Sequence, residues 1–306
     1  MTRTCDLRFR KPLLYPAELR DRVNRDVAYG LRSCIRPAGS GKYLPMRAAR
    51  IIGLIALFAA ASAHPAHAED EAPAACRLET LGVFIPGLAI DGRTFRLKDG
   101  RAVRLAGIEA AEGNTAKEAL ETSIAGGLVA LRRGGSGTDR YGHLVAQVFA
   151  LRDGAERWVQ QEMIAGGQAR VGARVGDPAC ASALLAAERA ARNGHVGLWA
   201  DTAYAIKQAD DLAGLLADRG RFIVAEGKVL SVRQSGGTIY VNFGQVWSRN
   251  LTVTILQRSE RAFAAAGMEL KKLEGRRVRV RVWVEERGGP RIEAARPEQI
   301  EFADRN

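Results

Sequence analysis

The stretch DGRTFRLKDGRAVRLAGIEAAE, residues 91–112, decides the fold of the chain. It contains two short apolar segments, TFRL and AVRLAGI, on either side of the turn at Lys98–Gly100. The tight-turn dipeptide Asp91-Gly92 precedes them and follows the apolar segment LGVFIPGLAI. Segments rich in Val, Ile, Phe and Leu between such turns indicate strands. We therefore predict a three-stranded antiparallel meander, with Pro86 marking an edge or a bulge in its first strand.

The pattern beyond this stretch predicts a helix, two more strands and further helices. A helix is expected over about residues 115–125, with Asn114 or Thr115 as its cap and Glu118 completing a capping box. LVALRR and HLVAQVFAL are predicted strands, separated by the glycine-rich loop GGSGTDRYG. A short helix in RWVQQEMIAG and a long one starting at Pro178 follow. Three strands, a helix and two strands is the order of a five-stranded OB-fold-type barrel.

Residues 221–302 repeat this order of elements without repeating the sequence. The segments RFIVAEGKVLSV, TIYVNF and NLTVTI are predicted strands, followed by a helix and two further strands. Residues 201–220 are predicted to be a helical connector. The fold class expected is therefore mainly β with appended helices (α+β), as two OB-like barrels in tandem over residues 78–200 and 221–302.

Residues 46–68 have the features of a secretory signal peptide. Two arginines precede an apolar core, and a small-x-small cleavage signal ends at Ala68. The apolar core is shorter than the roughly 20 residues needed to span a bilayer, so we predict no permanent membrane anchor. Because a signal peptide normally starts a chain, residues 1–45 are interpreted as a non-native N-terminal extension, with an unusually long n-region as the alternative. A periplasmic or secreted protein is expected after cleavage near Ala68.

Removing the leader changes the charge and the cysteine count. Residues 1–68 hold 12 of the 46 Lys and Arg residues and 4 of the 34 Asp and Glu residues, so the net charge falls from +12 to +4. Overall basicity therefore does not indicate a nucleic-acid partner. Cys76 and Cys180 remain. Two cysteines in an exported chain favour one disulfide, with two free, buried thiols as the alternative.

The remaining positive charge lies mainly in the second predicted barrel. Residues 219–306 hold 17 Lys and Arg residues against 10 Asp and Glu residues. Arg277, Arg279 and Arg281 alternate along one predicted strand and would share one face of it. They are predicted to bind nucleic acid through phosphate contacts. The alternative is a solvated strand face on a barrel that contacts an unknown protein partner.

Five separated pieces of the first predicted barrel resemble the staphylococcal nuclease-like (thermonuclease) family. They are DGRTFRL, VRLAGIEAAE, DRYGHLVAQVF, WVQQEMIAGGQARV and LLAAERAARNGHVGLW, in the family's order over about residues 78–200. The resemblance implies a nuclease that hydrolyses the DNA or RNA backbone with Ca²⁺. In such a site, carboxylate and carbonyl oxygens hold the cation, a carboxylate activates water, and two arginines hold the phosphate.

The resemblance assigns roles to several residues of this sequence. Its first phosphate-binding arginine falls on Arg104 and its general base on Glu112, while Glu109 takes the place of an aspartate ligand to the metal. Its second phosphate-binding arginine is replaced by His143. The catalytic set is thus Arg104, Glu112 and His143, and the metal ligands are Glu109 and Glu112. Arg140 and Tyr141, just before His143, are predicted to contact nucleic acid.

The sharpest departure from the family is Arg93. The family has Asp-Gly-Asp-Thr where this chain has Asp-Gly-Arg-Thr, so a positive charge replaces an acidic calcium ligand. At about 4 Å from the cation position, this repulsion amounts to several kcal/mol at an intermediate effective dielectric. Histidine at 143 also lacks the fixed bidentate donors of arginine. A degraded calcium site is therefore expected, with retention and loss of the metal as the two alternatives.

Three hypotheses follow, and whether the chain is an enzyme stays open between them. The first is an exported thermonuclease-like protein that hydrolyses phosphodiesters with a degraded calcium and arginine site. The second is a catalytically inactive protein that binds nucleic acid or another anion. The third is a structural envelope protein whose second barrel contacts another protein.

Overall fold

The computed structural model describes residues 76, 78–246, 249–286 and 290–303. The predicted signal peptide (46–68) and the extension before it (1–45) lie outside these residues. The described residues belong to one compact unit. They are mostly β with some helices, which is consistent with an OB-type fold.

The N-terminal module, residues 78–200, contains nine strands, three α-helices and a 3-10 helix at Gly197–Ala200 within its described residues. The strands are β1 (Thr80–Phe84), β2 (Pro86–Asp91), β3 (Thr94–Leu97), β4 (Ala102–Leu105), β5 (Ile108–Ala110), β6 (Leu128–Thr138), β7 (Leu144–Arg152), β8 (Ala155–Trp158) and β9 (Ala169–Val171). The helices are α1 (Asn114–Ile124), α2 (Val159–Ala165) and α3 (Pro178–Asn193).

The predicted meander is present in the N-terminal module. β2, β3 and β4 pair antiparallel in sequence order. β4 then pairs parallel with β7, β7 pairs antiparallel with β6, and β6 pairs antiparallel with β1. β1 and β2 are therefore the two end strands of this series of pairings. In the chain they are consecutive, because only Ile85 separates them. The interruption falls just before Pro86, which has no backbone N–H to donate.

The C-terminal module, residues 207–303, repeats this series of pairings. Its strands are β10 (Lys207–Gln208), β11 (Phe222–Lys228), β12 (Ser231–Ser235), β13 (Thr238–Asn242), β14 (Thr252–Leu256), β15 (Arg277–Trp283), β16 (Glu285–Glu286), β17 (Pro290–Glu293) and β18 (Ile300–Phe302), and its helices are α4 (Leu212–Ala217) and α5 (Glu260–Ala265). β12, β13 and β14 pair antiparallel, β14 pairs parallel with β17, and β17 pairs antiparallel with β16. β15, just before β16, pairs antiparallel with β11, just before β12.

Each module has its own apolar core. Phe95, Leu105 and Leu120 are fully buried in the first, and Val253 and Phe263 in the second. A smaller cluster joins the two modules and consists of Ala191, Leu198, Trp199 and Val224. Because this cluster takes residues from both modules, burial of its apolar surface favours their association.

The predicted disulfide between Cys76 and Cys180 is confirmed, and the alternative of two free thiols is wrong. Cys180 lies in the first turn of α3, which begins at Pro178 as predicted. Asp177 caps this helix, because its carboxylate accepts from the backbone N–H groups of Ala179 and Cys180. The start of the described chain is therefore covalently tied to α3.

Several local predictions were wrong. The N-cap of α1 is Gly113, which has a φ of 101° and no side chain to accept a hydrogen bond, so the predicted capping box is absent. AVRLAGI is not one strand, because β4 ends at Leu105 and the last residue of the segment, Ile108, begins β5. The connector is only partly helical: it holds a 3-10 helix at Thr202–Tyr204, strand β10 and helix α4. None of the described helices is both long enough and apolar enough to span a membrane.

Candidate functional site

At the predicted metal position an arginine is paired with one of the predicted ligands. Arg93, in the turn after β2, donates from Nη1 to Oε2 of Glu109 on β5. Both side chains are partly buried, with 24% of Arg93 and 16% of Glu109 exposed. Burial lowers the pKa of the Arg93 guanidinium, and the nearby charge of Arg104 lowers it further. The carboxylate predicted to hold a cation therefore already holds a guanidinium.

The predicted general base, Glu112, lies at the boundary between the two modules. Its side chain is 77% exposed, and Oε1 accepts from Nη2 of Arg221 at 3.2 Å. Its backbone N–H donates to the hydroxyl of Tyr204 at 2.8 Å. Both partners lie far along the chain from Glu112, so packing of the modules determines its position.

The residues at this position do not fit a calcium ion. Calcium takes six to eight oxygen ligands. Glu109 is paired with Arg93 and Glu112 with Arg221. Across the described part of the chain, no group of three or more His, Cys, Asp or Glu side chains lies together as a metal site. We therefore derive no catalytic step through calcium.

The two predicted phosphate-binding residues share one carboxylate. Asp139 Oδ2 lies 3.6 Å from Nη1 of Arg104 and 3.1 Å from Nδ1 of His143. Asp139 Oδ1 accepts from the backbone N–H groups of Tyr141 and His143 at 2.8 and 3.0 Å. Burial acts to raise the pKa of Asp139, but these backbone hydrogen bonds and His143 outweigh it and lower the pKa. The sequence analysis missed Asp139, although an aspartate two residues before Tyr141 is a typical turn-forming signal.

Arg140 and Tyr141 lie on the exposed loop between β6 and β7. Tyr141 is 63% exposed, and the Arg140 guanidinium carbon lies 4.8 Å from the centroid of its ring. The ring of His143 is 5.9 Å from that of Tyr141. The loop therefore presents an aromatic face and a cation to solvent beside the Arg104–Asp139–His143 cluster.

The predicted nucleic-acid surface of β15 is only partly available. Arg277 and Arg279 both donate to the carboxylate of Glu226, at 2.5 and 2.6 Å. Arg281 is 1% exposed and pairs with Glu188 of α3 at 2.7 Å and with Glu301 at 3.2 Å. The prediction that Arg281 binds nucleic acid is wrong. The three arginines share a face as expected, but packing against α3 buries the end that carries Arg281.

A cleft of about 360 Å³ lies between the two modules. One wall carries Arg93, Glu109 and Glu112 of the N-terminal module. Its remaining lining includes Arg170, Tyr204, Lys207, Asp218, Arg221, Phe222 and Trp283. The sequence analysis singled out none of this second group, because these residues come together only when distant segments pack.

Part of the N-terminal module matches a known protein-family model. The family model described as staphylococcal nuclease homologue matches residues 101–201. The matched range includes Arg104, Glu109, Glu112 and His143 and begins after Arg93. No curated protein matches the chain.

Proposed function

Because the family model described as staphylococcal nuclease homologue matches residues 101–201, we propose that the chain is an exported nuclease-like protein that binds nucleic acid without hydrolysing it with calcium. One observation carries this proposal: the ion pair between Arg93 and Glu109. The family is calcium-dependent. Here a guanidinium holds the carboxylate on which a calcium ion would depend.

Electrostatics makes this ion pair an obstacle to a cation. A divalent ion beside Glu109 could lie close to the Arg93 guanidinium, where the two positive charges repel each other. Alternatively, it could take over the Glu109 carboxylate and leave the partly buried Arg93 without its ion-pair partner. Repulsion between charges about 4 Å apart amounts to several kcal/mol at an intermediate effective dielectric. An uncompensated, partly buried arginine carries a desolvation cost of its own. Both outcomes oppose cation binding.

Binding of nucleic acid is supported by the exposed loop and by the fold. Tyr141 offers a ring on which a base can stack, and Arg140 and Arg104 offer charge for phosphates. The shared series of strand pairings supports the interpretation that residues 78–200 and 221–302 are both OB-type barrels. Folds of this type commonly bind single strands.

Export is supported by the predicted signal peptide at residues 46–68 and by the disulfide. Disulfides persist in oxidising compartments such as the periplasm and the extracellular medium, and are rare in the cytosol. The bond between Cys76 and Cys180 is therefore in keeping with a periplasmic or secreted protein.

The proposal is tested by incubating the full chain with single-stranded DNA, double-stranded DNA and RNA, with and without calcium. We expect binding without cleavage. A variant with Arg93→Asp and His143→Arg is expected to acquire calcium-dependent cleavage, because it restores a carboxylate and a bidentate donor. The matched control carries Arg96→Asp and His143→Arg, since Arg96 is exposed on neighbouring β3. Calcium-dependent cleavage by the wild-type chain at ordinary nuclease rates would disprove the proposal.

A further inference from the structure

Arg170 carries a buried charge that forms no ion pair within 4 Å among the described residues. Burial lowers the pKa of its guanidinium, and the more distant charges of Glu188 and Asp218 offset this only in part. Arg170 lies on β9, is 8% exposed, and its guanidinium carbon is 5.0 Å from the ring centroid of Tyr204 and 5.2 Å from that of Phe222. Nη2 donates to the backbone carbonyl of Phe222 at 2.9 Å, whereas Nε is buried without a hydrogen-bond partner. Stacking between two rings compensates a cation only in part. A buried charge that lacks a partner is unfavourable.

The carboxylates nearest to Arg170 already contact other groups. Glu109 lies directly opposite Arg170 in the pairing of β5 with β9, but its carboxylate is held by Arg93. Glu188 accepts from the backbone N–H of Val171 and from Arg281. Asp218 is 2.9 Å from Nζ of Lys207. The guanidinium of Arg170 is therefore available to an external anion.

The cleft gives such an anion access to Arg170. Arg170 is part of its lining, and the cleft volume of about 360 Å³ lies within the usual range for small-ligand sites. A second cation, Arg221, is 49% exposed at the cleft, and within the described part of the chain its ion-pair partners are exposed Glu112 and, at 3.7 Å, Asp218. Exposed ion pairs contribute little to stability, so Arg221 can exchange its partner at small cost.

The same cleft offers a ring surface next to these cations. Trp283 lines it, is 46% exposed, and meets the ring of Phe222 edge-on at 6.0 Å between centroids. Exposed indole rings are suited to stacking against planar groups. A ligand that combines an oxyanion with a planar ring would use both parts of the cleft.

We propose that the cleft binds a nucleoside phosphate, with its phosphate on Arg170 and Arg221 and its base on Trp283. The ligand is either a free nucleotide or the phosphorylated end of a strand, since both present the same chemistry. This proposal shares the ion pair between Arg93 and Glu109 with the function proposed above, but it needs neither a loss of catalysis nor binding at the loop that carries Tyr141. The described residues that line the cleft do not include Arg104, His143 or Tyr141.

The test measures the thermal unfolding midpoint and, by calorimetry, the affinity of the full chain for three probes. The probes are inorganic phosphate, a nucleoside monophosphate and an oligonucleotide with a 5′ phosphate, and the same oligonucleotide without that phosphate is the reference. Each is expected to raise the midpoint by an amount that grows with the logarithm of its concentration relative to its Kd. The rise with the unphosphorylated oligonucleotide is the reference for binding elsewhere, and the phosphorylated oligonucleotide should exceed it. A nucleotide that binds more tightly than the phosphorylated oligonucleotide identifies a free ligand, and the reverse order identifies a strand end.

Arg170→Met is the decisive variant, and Arg192→Met is its matched control. Arg192 is also largely buried and lies 5.7 Å from the ring centroid of Trp199, but it is paired with Glu188 at 3.4 Å. Arg170→Met is expected to weaken phosphate binding by about 10- to 100-fold, because charge-assisted hydrogen bonds are lost. It should leave the ligand-free protein as stable as the wild type or more stable. Arg192→Met should lower stability and keep phosphate binding.

Three results would overturn the proposal. One is the absence of any phosphate response at millimolar concentration in the wild type. Another is an equal response in Arg170→Met. The third is an equal loss of affinity for the nucleotide and for inorganic phosphate in Trp283→Ala. The Trp283 ring should contact only the base, so its removal should weaken binding of the nucleotide alone. If Arg170→Met does not fold, Arg170→Lys replaces it. Lysine lacks the planar fork of donors, so phosphate affinity should fall in this variant as well. Unchanged affinity would count against the proposal.

Discussion

Glu109 of β5 lies directly opposite Arg170 of β9, yet the two do not form an ion pair. The carboxylate of Glu109 is held instead by Arg93, from the turn between β2 and β3. Arg93 therefore has two effects in this structure. It places a cation at the predicted metal position, and it leaves the guanidinium of Arg170 without its neighbour's charge.

Replacing Arg93 with methionine is expected to release Glu109. The freed carboxylate can then pair with Arg170 across the strands, because residues directly opposite each other have neighbouring side chains. The phosphate-induced rise in the thermal unfolding midpoint should shrink, while the stability without phosphate should change little. Thermal unfolding with and without phosphate measures both quantities. Arg96→Met is the control, since this exposed arginine donates to the carbonyl of Gly100. An undiminished phosphate response in Arg93→Met would show that Glu109 does not compensate Arg170.

The loop between β6 and β7 is expected to bind single-stranded nucleic acid. Tyr141→Ala should weaken binding of an unphosphorylated oligonucleotide by about 1–3 kcal/mol, the usual contribution of stacking one base on an aromatic ring. Arg140→Ala should lower the slope of log affinity against log salt by about 0.7, as expected for one lost phosphate contact on a single strand. Fluorescence anisotropy at several salt concentrations measures both effects.

Arg101→Ala is the control for the loop variants. Arg101 is also an exposed arginine over an aromatic ring, 4.6 Å from the centroid of Phe84, but it is held by Asp99. Its removal should leave affinity and salt slope unchanged. Equal losses for Arg101→Ala and Arg140→Ala would indicate binding by general surface charge rather than by this loop.

Much of the strand order could be predicted from the sequence, because it depends on local patterns. TFRL between two turns gave β3 with its observed bounds, and Pro178 marked the start of α3. β9 was missed because three residues carry too little pattern, and its strand form depends on pairing with β5. The capping box was wrong because Gly113, with its positive φ, takes the cap position and places Asn114 inside the helix.

The candidate site could be predicted only within the N-terminal module. The resemblance located Arg104, Glu109, Glu112 and His143, and the matched family range includes all four. It could not show that Glu112 meets Arg221, which lies 109 residues further along the chain. The burial of Arg281 was missed for the same reason, since alternation along a strand indicates a shared face but not what covers it.

The buried ion pair between Arg281 and Glu188 is expected to link the modules strongly. Arg281→Met leaves the fully buried Glu188 short of a partner and should lower the free energy of unfolding by about 3–5 kcal/mol. The double variant Arg281→Met, Glu188→Gln removes the charge as well and should recover part of the loss. Arg277→Met is the control, because Arg277 lies on the same strand but is half exposed, and it should cost less than about 1 kcal/mol. Urea denaturation measures all three. Equal losses for Arg281→Met and Arg277→Met would contradict this assignment.

Glu226 is expected to make the C-terminal module sensitive to acid. Burial acts to raise its pKa, but hydrogen bonds and charge from Arg277 and Arg279 outweigh burial and lower it. A carboxyl group with a lowered pKa in the folded state stabilises the fold above its unfolded pKa, about 4.3 for glutamate, and loses that contribution as pH falls through the folded value. Glu226→Gln should therefore be less stable than the wild type at pH 7, and the difference should shrink as pH falls below about 4.3. Urea denaturation from pH 7 to 3 measures this convergence, with the exposed Glu269→Gln as the control. A difference between wild type and Glu226→Gln that stays constant across this range would show that the lowered pKa of Glu226 does not contribute to stability.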